Sequence, residues 1–185
     1  MNPIKLFLGM CLFLVLLFDT NLSAKESKVS STKTALMWFD AEANFERFSH
    51  KDSIAYYLKK IKLLGFTHAI VDVRPITGEV LFDSKYAPKM KEWNGTKRSD
   101  FDYLGEFIKE GHRLGLKIYA ALNVFCAGHN YFDRGLVYDG HPEWASMVYT
   151  PDKGIISIMQ EKHKYGAMIN PINQDYRTYI LNVLE

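Results

Sequence analysis

Cysteine is nearly absent from this chain, and its scarcity argues against a disulfide-stabilised fold. The 185 residues include two cysteines. Cys11 lies in an N-terminal apolar run, and Cys126 is the only cysteine in the rest of the sequence. No intrachain disulfide is therefore expected in that part. Cys126 follows a predicted strand and has nothing obvious nearby to activate its thiol, so we interpret it as structural.

Several catalytic motifs are missing as well. The six histidines show neither H-x-x-x-H nor H-x-H spacing, so we expect no metal site in this segment, which argues against a metal-dependent polysaccharide deacetylase. The chain lacks the G-x-S-x-G of serine hydrolases, the phosphate-binding G-x-x-x-x-G-K-[ST] and a G-x-G-x-x-G after a strand. We therefore expect no cofactor. The net charge of +2 gives no support for nucleic-acid or polybasic membrane binding.

The N-terminus has the pattern of a secretory signal peptide, predicted to span residues 1–24. Lys5 precedes an apolar core, Leu6–Phe18, and small polar residues follow it. An uncleaved membrane anchor is an alternative, but this core of about 13 residues is shorter than the ~17–25 of a spanning helix. A lipoprotein is another, although Cys11 does not follow a small residue at the end of the core. We expect a flexible leader at 25–34, a secreted, periplasmic or cell-envelope location, and no stable membrane span after cleavage.

A helix–glycine–strand cassette occurs twice and indicates an α/β protein. Lys59–Arg74 and Lys109–Val124 each contain an amphipathic helix, a Leu-Gly pair and a short apolar run. Gly65 and Gly115 fit the left-handed position that ends a helix. Near-continuous apolar runs are typical of parallel strands that are covered on both faces.

We predict about four βα units over residues 35–185, forming the N-terminal half of a (β/α)8 TIM-type barrel. The units stop at Glu185, whereas a closed barrel needs about 250 residues, so we interpret the chain as a truncated fragment. The predicted strands are Ala35–Phe39, Thr67–Val73, Lys117–Val124 and Ala167–Ile169, the helices span about Asp52–Leu64 and Phe101–Leu114 with a third starting near Gln174, and the long loops are Pro75–Ser99 and Cys126–Gly166.

Local patterns refine the helices. The first helix should bury a stripe of Ile54, Leu58, Ile61 and Leu64. Ser49, Ser99, Asp102 and Asn173 are placed as helix caps.

Polar side chains follow the predicted strands, at the edge where a barrel carries its site. They alternate with aromatic rings, which stack on the apolar faces of sugars while carboxylate, amide and guanidinium groups bind hydroxyls. The sequence thus predicts a carbohydrate cleft. The candidate substrate-binding residues are Asp40, Glu42, Asn44, Asp72, Arg74, Asn123, His129 and Asn170, and the nearby rings are Trp38, Phe125, Tyr131, Phe132 and Trp144.

Each candidate also has a purely structural interpretation. Asp72 and Arg74 could neutralise each other inside the fold. Asp40 could cap its own loop, and His129 could order the loop in which it lies. Glu79 is predicted to be solvated, and Trp144 to anchor the second long loop by packing.

Several segments together resemble the glycosyl-hydrolase-like family 10 proteins, which are secreted bacterial α/β barrels. The segments are Val71–Pro75, Leu81–Tyr86, Phe101–Leu104, Glu110–Leu116, Ala121–Asn123, His141–Trp144 and Asn170–Arg177. The opening Trp38–Asn44 resembles the version carried by gut Bacteroidetes. The resemblance implies a glycoside hydrolase-like (β/α)8 domain that acts on a poly- or oligosaccharide outside the cytoplasm.

Two departures from the family pattern bear on mechanism. Asn123 is followed by Val124, where relatives have proline. The segment resembling D-G-[IV]-x-x-D, which supplies the family's catalytic carboxylate, is absent, so we expect the catalytic residues beyond Glu185 and the segment alone to be inactive. A non-catalytic glycan-binding barrel of the cell envelope is the main alternative, and a half-barrel that pairs with another half is a third.

Overall fold

The computed structural model describes residues 33–162 and 166–185. The predicted signal peptide at 1–24 and most of the predicted leader at 25–34 lie outside the described residues. Within the described ranges, no helix is long and apolar enough to cross a membrane.

The described residues form a mixed α/β structure with small sheets. In chain order, its elements are β1 (Leu36–Phe39), α1 (Lys51–Leu63), β2 (His68–Arg74), β3 (Glu92–Trp93), β4 (Thr96–Lys97), α2 (Tyr103–Arg113), β5 (Lys117–Leu122), β6 (Cys126–His129), the short α3 (Leu136–Asp139), β7 (Met147–Thr150), β8 (Gly154–Ser157), β9 (Gly166–Met168) and α4 (Gln174–Leu184). Single 3-10 turns occupy Pro142–Trp144 and Ile158–Gln160.

The predicted parallel sheet is present and contains three strands in the order β1-β2-β5. The glycines of the repeated cassette end the helices as expected, since Gly65 has φ +89° and Gly115 has φ +67°. Backbone of this hand favours glycine, which has no Cβ to clash. Each helix can therefore turn straight back into the next strand of the sheet.

The helix stripe and caps are confirmed only in part. Ile54, Leu58 and Ile61 are buried, but Leu64 is 68% exposed because it is the residue at which α1 ends and the chain turns away. Asp102 and Asn173 cap α2 and α4, accepting hydrogen bonds from the backbone N–H groups of Gly105 and Tyr176.

The predicted serine caps are wrong. The Ser49 hydroxyl donates to the Phe45 carbonyl one turn earlier, and the Ser99 hydroxyl donates to the Ser49 carbonyl. Both side chains therefore bond carbonyl groups, which leaves the first N–H groups of α1 without a serine cap.

The fourth predicted strand does not extend the parallel sheet. β9 pairs antiparallel with β6, whose residues follow β5 almost directly, so the prediction of a fourth parallel unit is wrong. The two predicted long loops also contain structure. A hairpin of β3 and β4 turns at Asn94-Gly95, where both residues have positive φ, and β7 pairs with β8 in a second hairpin.

Two apolar clusters are buried. We call the first the sheet core; it packs one face of the parallel sheet against α1 and α2 and contains Phe39, Phe48, Ile54, Leu58, Val71, Phe107 and their neighbours. We call the other the second core; it joins α3, β9 and α4 and contains Val137, Trp144, Ala167, Ile169, Tyr176 and Ile180. On the face of the sheet opposite the sheet core, Trp38 and Tyr119 remain about half exposed.

Candidate functional site

Two carboxylates meet where β1 and β2 end. Phe39 lies opposite Val71 in the parallel register, so the next residues, Asp40 and Asp72, are neighbours. Asp72 is almost fully buried, and its Oδ1 accepts a hydrogen bond of 3.3 Å from the Arg74 backbone N–H. Burial, followed by the charge of Asp40, raises the pKa of the Asp72 carboxyl to about 6.

Glu42, in the loop after β1, adds a third carboxyl group to this cluster. Its Oε1 atom is buried and has no hydrogen-bond partner among the described residues. Burial raises the pKa of Glu42 to about 7, with smaller contributions from Asp40 and Asp72, while Arg134 and the Ile76 backbone N–H act in the opposite direction. A carboxyl with this pKa exchanges a proton near neutral pH, as a general acid or a hydrogen-bond donor must.

Glu42 lines an open pocket of about 320 Å³. One wall is the loop after β1, with Phe45 and Glu46, and the other is the β3–β4 hairpin, with Trp93 and Asn94. A smaller pocket of about 110 Å³ shares Trp93 and Asn94 and continues to Phe132 and Arg134. We call the two adjoining pockets the Glu42 cleft.

Arg134 fixes the hairpin that forms one wall of the Glu42 cleft. Its Nε and Nη2 atoms donate to the two carboxylate oxygens of Glu79, each at 3.2 Å, and its Nη1 donates to Glu92 Oε2 at 3.1 Å. Its guanidinium carbon lies 5.3 Å from the Trp93 ring centroid. Glu79 is thus a mostly buried partner of Arg134, and the prediction that it is solvated is wrong.

His129 packs beside the cleft. Its ring centroid lies 4.6 Å from that of Phe132 and 5.6 Å from that of Trp93. The residue is buried, and burial lowers the pKa of its imidazole. Tyr131 and Phe132 on the same loop are exposed by 68% and 49%. His129 therefore lies against the ring of the cleft wall, while its neighbours present aromatic surface to solvent.

Asp40 and Asn44 hold the loop that carries Glu42. The Asp40 Oδ1 accepts a hydrogen bond of 2.7 Å from the Ala43 N–H, and the Asn44 side-chain amide donates to the Asp40 carbonyl at 3.1 Å. The Asn44 Oδ1 also accepts from Arg47 at 2.5 Å. Both side chains stabilise the turn, and Asp40 adds its charge to the Glu42–Asp72 group.

The sequence allowed a side-chain ion pair between Asp72 and Arg74. The structure does not contain this pair. The Arg74 guanidinium is fully buried and donates to the carbonyls of Asn123 and Cys126 and, at 3.3 Å, to the Tyr176 hydroxyl. The Asn123 side-chain amide donates back to the Arg74 carbonyl at 3.3 Å. Arg74 and Asn123 thus join the ends of β2 and β5, and Arg74 links both to α4.

Three other residues singled out in the sequence have structural surroundings. The Asn170 side chain is exposed and accepts a hydrogen bond from Ile172 in the turn before α4. Trp144 is buried in the second core with its ring stacked on His141 at 3.8 Å, as predicted for a packing anchor. Cys126 is buried, and burial raises the pKa of its thiol.

The structure therefore brings Asp40, Glu42 and Asp72 together and adds residues that sequence analysis missed. The most informative of these is Trp93, followed by Glu46 and Arg134. The Asn94-Gly95 pair, a strong hairpin signal, could have located Trp93 on a hairpin, but not its position opposite Glu42. Among the described residues, no group of three or more His, Cys, Asp or Glu side chains is arranged to hold a metal ion.

A larger pocket, of about 560 Å³, lies elsewhere. It is lined by Val73, Leu104 and Ala120, together with the end of α4, on the helix-bearing side of the sheet. The carboxyl groups with raised pKa values, Glu42 and Asp72, do not line it. By volume this pocket is the stronger candidate for a ligand site. The Glu42 cleft is the stronger candidate by chemistry, because Glu42, whose pKa is raised, lines it.

Comparison with solved structures shows a likeness of fold. The chain is similar to part of the crystal structure of an alpha-amylase from Lactobacillus plantarum, with a TM-score of 0.50 and 15% identity. The match covers 82% of this chain and 35% of the amylase. At this identity the likeness concerns the fold alone.

Sequence comparison gives one particular relative. The chain is 31% identical over 167 residues to an S-layer-related protein of Niallia circulans, a match that covers 84% of this chain and 10% of that protein. The chain thus spans about a tenth of the length of this relative. No family model matches the chain. Its resemblance to the glycosyl-hydrolase-like family 10 proteins therefore stays a prediction.

Proposed function

We propose that this chain is the sugar-binding part of a glycoside hydrolase of the cell envelope or exterior, and that the Glu42 cleft holds the glycan. One observation carries the proposal: Glu42, a carboxyl residue with a raised pKa, lines an open pocket together with a tryptophan, Trp93. Sugar sites combine an aromatic platform with a few polar groups that bind hydroxyls. The amylase-like fold and the S-layer-related relative support this assignment.

The carboxyl groups fit the electrostatics of such a site. Glycoside hydrolysis uses one carboxyl that holds a proton and one that is ionised. In this segment Asp40, Glu42 and Asp72 bind and orient sugar hydroxyls and tune one another's charge.

The test is binding of soluble polysaccharides to Trp93 variants. Trp93→Ala removes the ring that faces Glu42 and should weaken binding about tenfold, equivalent to ~1.4 kcal/mol. Trp93→Phe keeps an aromatic platform and should retain most of the affinity. Tyr149→Ala, which removes an exposed ring on β7, is the matched control and should bind like the unchanged protein.

Wild-type affinity in a folded Trp93→Ala protein would place the glycan somewhere other than the Glu42 cleft. Release of new reducing ends from the bound polysaccharide separates the two function classes. Cleavage supports the hydrolase, whereas binding without cleavage is expected of the segment alone under both hypotheses.

A further inference from the structure

The charged side chains that line the main pocket of the Glu42 cleft are acidic. Glu42 and Glu46 both line it, together with Phe45, Trp93 and Asn94, and its described lining includes no lysine, arginine or histidine. Asp40 and Asp72 lie close enough to Glu42 to raise its pKa. Any ligand in this pocket therefore meets two carboxyl groups, both on the wall formed by the loop after β1.

The neighbouring cations do not offset this charge for a ligand. Arg134 is engaged with the carboxylates of Glu79 and Glu92. Arg98 lies behind the wall, with its guanidinium carbon 4.3 Å from the Phe45 ring centroid, and its side-chain nitrogens are buried. An anionic group in the pocket would thus face carboxylates without a cation to pair with, which costs binding free energy.

We infer that the main pocket of the Glu42 cleft selects glycans whose sugars carry protonated amino groups over glycans that carry carboxylate or sulfate groups. An ammonium group on the sugar would approach the exposed carboxylate of Glu46 and the side chain of Glu42, which line the same pocket. The sugar ring would lie against Trp93, whose face also attracts cations. Charge-assisted hydrogen bonds of this kind are stronger than those between neutral groups.

This inference rests on the proposed function, because it names the class of glycan that the same cleft binds.

The experiment is calorimetric titration with three oligosaccharides of equal length: glucosamine, N-acetylglucosamine and galacturonic acid oligomers. The unchanged protein should bind the glucosamine oligomer about tenfold more tightly than the acetylated one, and the galacturonate oligomer most weakly. The preference should shrink as salt rises, because Glu46 is exposed and its charge is screened.

Two charge variants make the test specific. Glu46→Gln should reduce the preference for the glucosamine oligomer several-fold while leaving the affinity for the acetylated oligomer nearly unchanged. Asp152→Asn removes an equivalent exposed charge in the turn between β7 and β8 and should leave both affinities as they were.

Equal or tighter binding of the acetylated or galacturonate oligomer would overturn the inference while leaving glycan binding intact. An unchanged preference in Glu46→Gln would overturn it as well. Failure of a folded protein to bind any of the three oligomers would instead count against the proposed function itself.

Discussion

The sheet core and the second core are built on different principles. The sheet core packs α1 and α2 on one face of three parallel strands, and its buried residues recur at helix and strand spacing. The second core gathers short strands, 3-10 turns and α4 around aromatic rings, with Trp144 5.3 Å from Tyr176 and 5.1 Å from Tyr179. The first depends on local periodicity, and the other depends on contacts between residues far apart in the chain.

Buried polar side chains show the same dependence on contacts between distant residues. In the second core, the buried Asn130 side chain donates to the Ile158 carbonyl and accepts from the Tyr138 hydroxyl, at 2.9 and 2.7 Å. These bonds join segments that have little regular structure of their own. Arg74 links the two cores, because it extends from the end of β2 to the Cys126 carbonyl and to Tyr176 in α4.

The largest expected effect follows from breaking this link. Arg74→Met keeps most of the side-chain volume but leaves the buried Cys126 carbonyl and the part-buried Asn123 carbonyl without this donor. Unsatisfied buried groups cost ~1–3 kcal/mol each, so we expect the free energy of unfolding to fall by about 4 kcal/mol. Urea denaturation monitored by fluorescence measures this loss.

Arg177→Met is the matched control, because Arg177 is an exposed arginine on α4. Its effect should stay within about 0.5 kcal/mol. Equal stabilities of the two variants would show that the cores do not depend on Arg74.

A smaller effect is expected in the pH dependence of stability, because two carboxyl groups with raised pKa values lie at the edge of the sheet core. The pKa of Glu42 is raised from 4.5 to about 7, so the folded protein binds more protons than the unfolded chain between these values. Stability should therefore fall as pH rises through this window. Asp72, whose pKa is raised from 3.8 to about 6, acts in the same direction at lower pH.

Glu42→Gln removes this ionisation, so above pH 7 the variant should be more stable than the unchanged protein by about 2 kcal/mol. Thermal or urea unfolding across the pH range measures the difference. Asp152→Asn, on an exposed side chain, should leave the pH profile as it was. If the free energy of unfolding depends on pH in the same way in Glu42→Gln and in the unchanged protein, then ionisation of Glu42 does not destabilise the fold.

The regular part of the molecule could be predicted from the sequence because its signals are local. The apolar stripe of α1, the glycines at 65 and 115 and the caps Asp102 and Asn173 each act within a few residues of their own position. Two of the three parallel strands, β2 and β5, followed from the apolar runs after those glycines. The carboxyl ends of β1 and β2 then placed Asp40 beside Asp72 by register alone.

The rest could not be predicted, because it depends on long-range pairing. Glu79 and Arg134 are 55 positions apart, and nothing near Glu79 shows that a guanidinium will cover it. Trp93 reaches the cleft through a hairpin whose placement depends on that same arginine. The antiparallel pairing of β9 with β6 has no local signal either, since a short apolar run fits both directions.

The smallest expected effect sharpens the comparison through the two helix caps. Asp102→Ala at α2, in the sheet core, and Asn173→Ala at α4, in the second core, each remove one side-chain acceptor from a helix N-terminus. Each should lower the free energy of unfolding by about 1 kcal/mol, whereas Asp102→Asn and Asn173→Asp keep an acceptor and should cost little.

Urea denaturation of the single variants and of the double alanine variant measures the effects. Additive losses within a single unfolding transition would show that the two cores unfold as one cooperative unit and that the distant caps act independently. If instead Asn173→Ala shifts only the signal of Trp144, the second core opens by itself, and the link through Arg74 is weaker than its hydrogen bonds suggest.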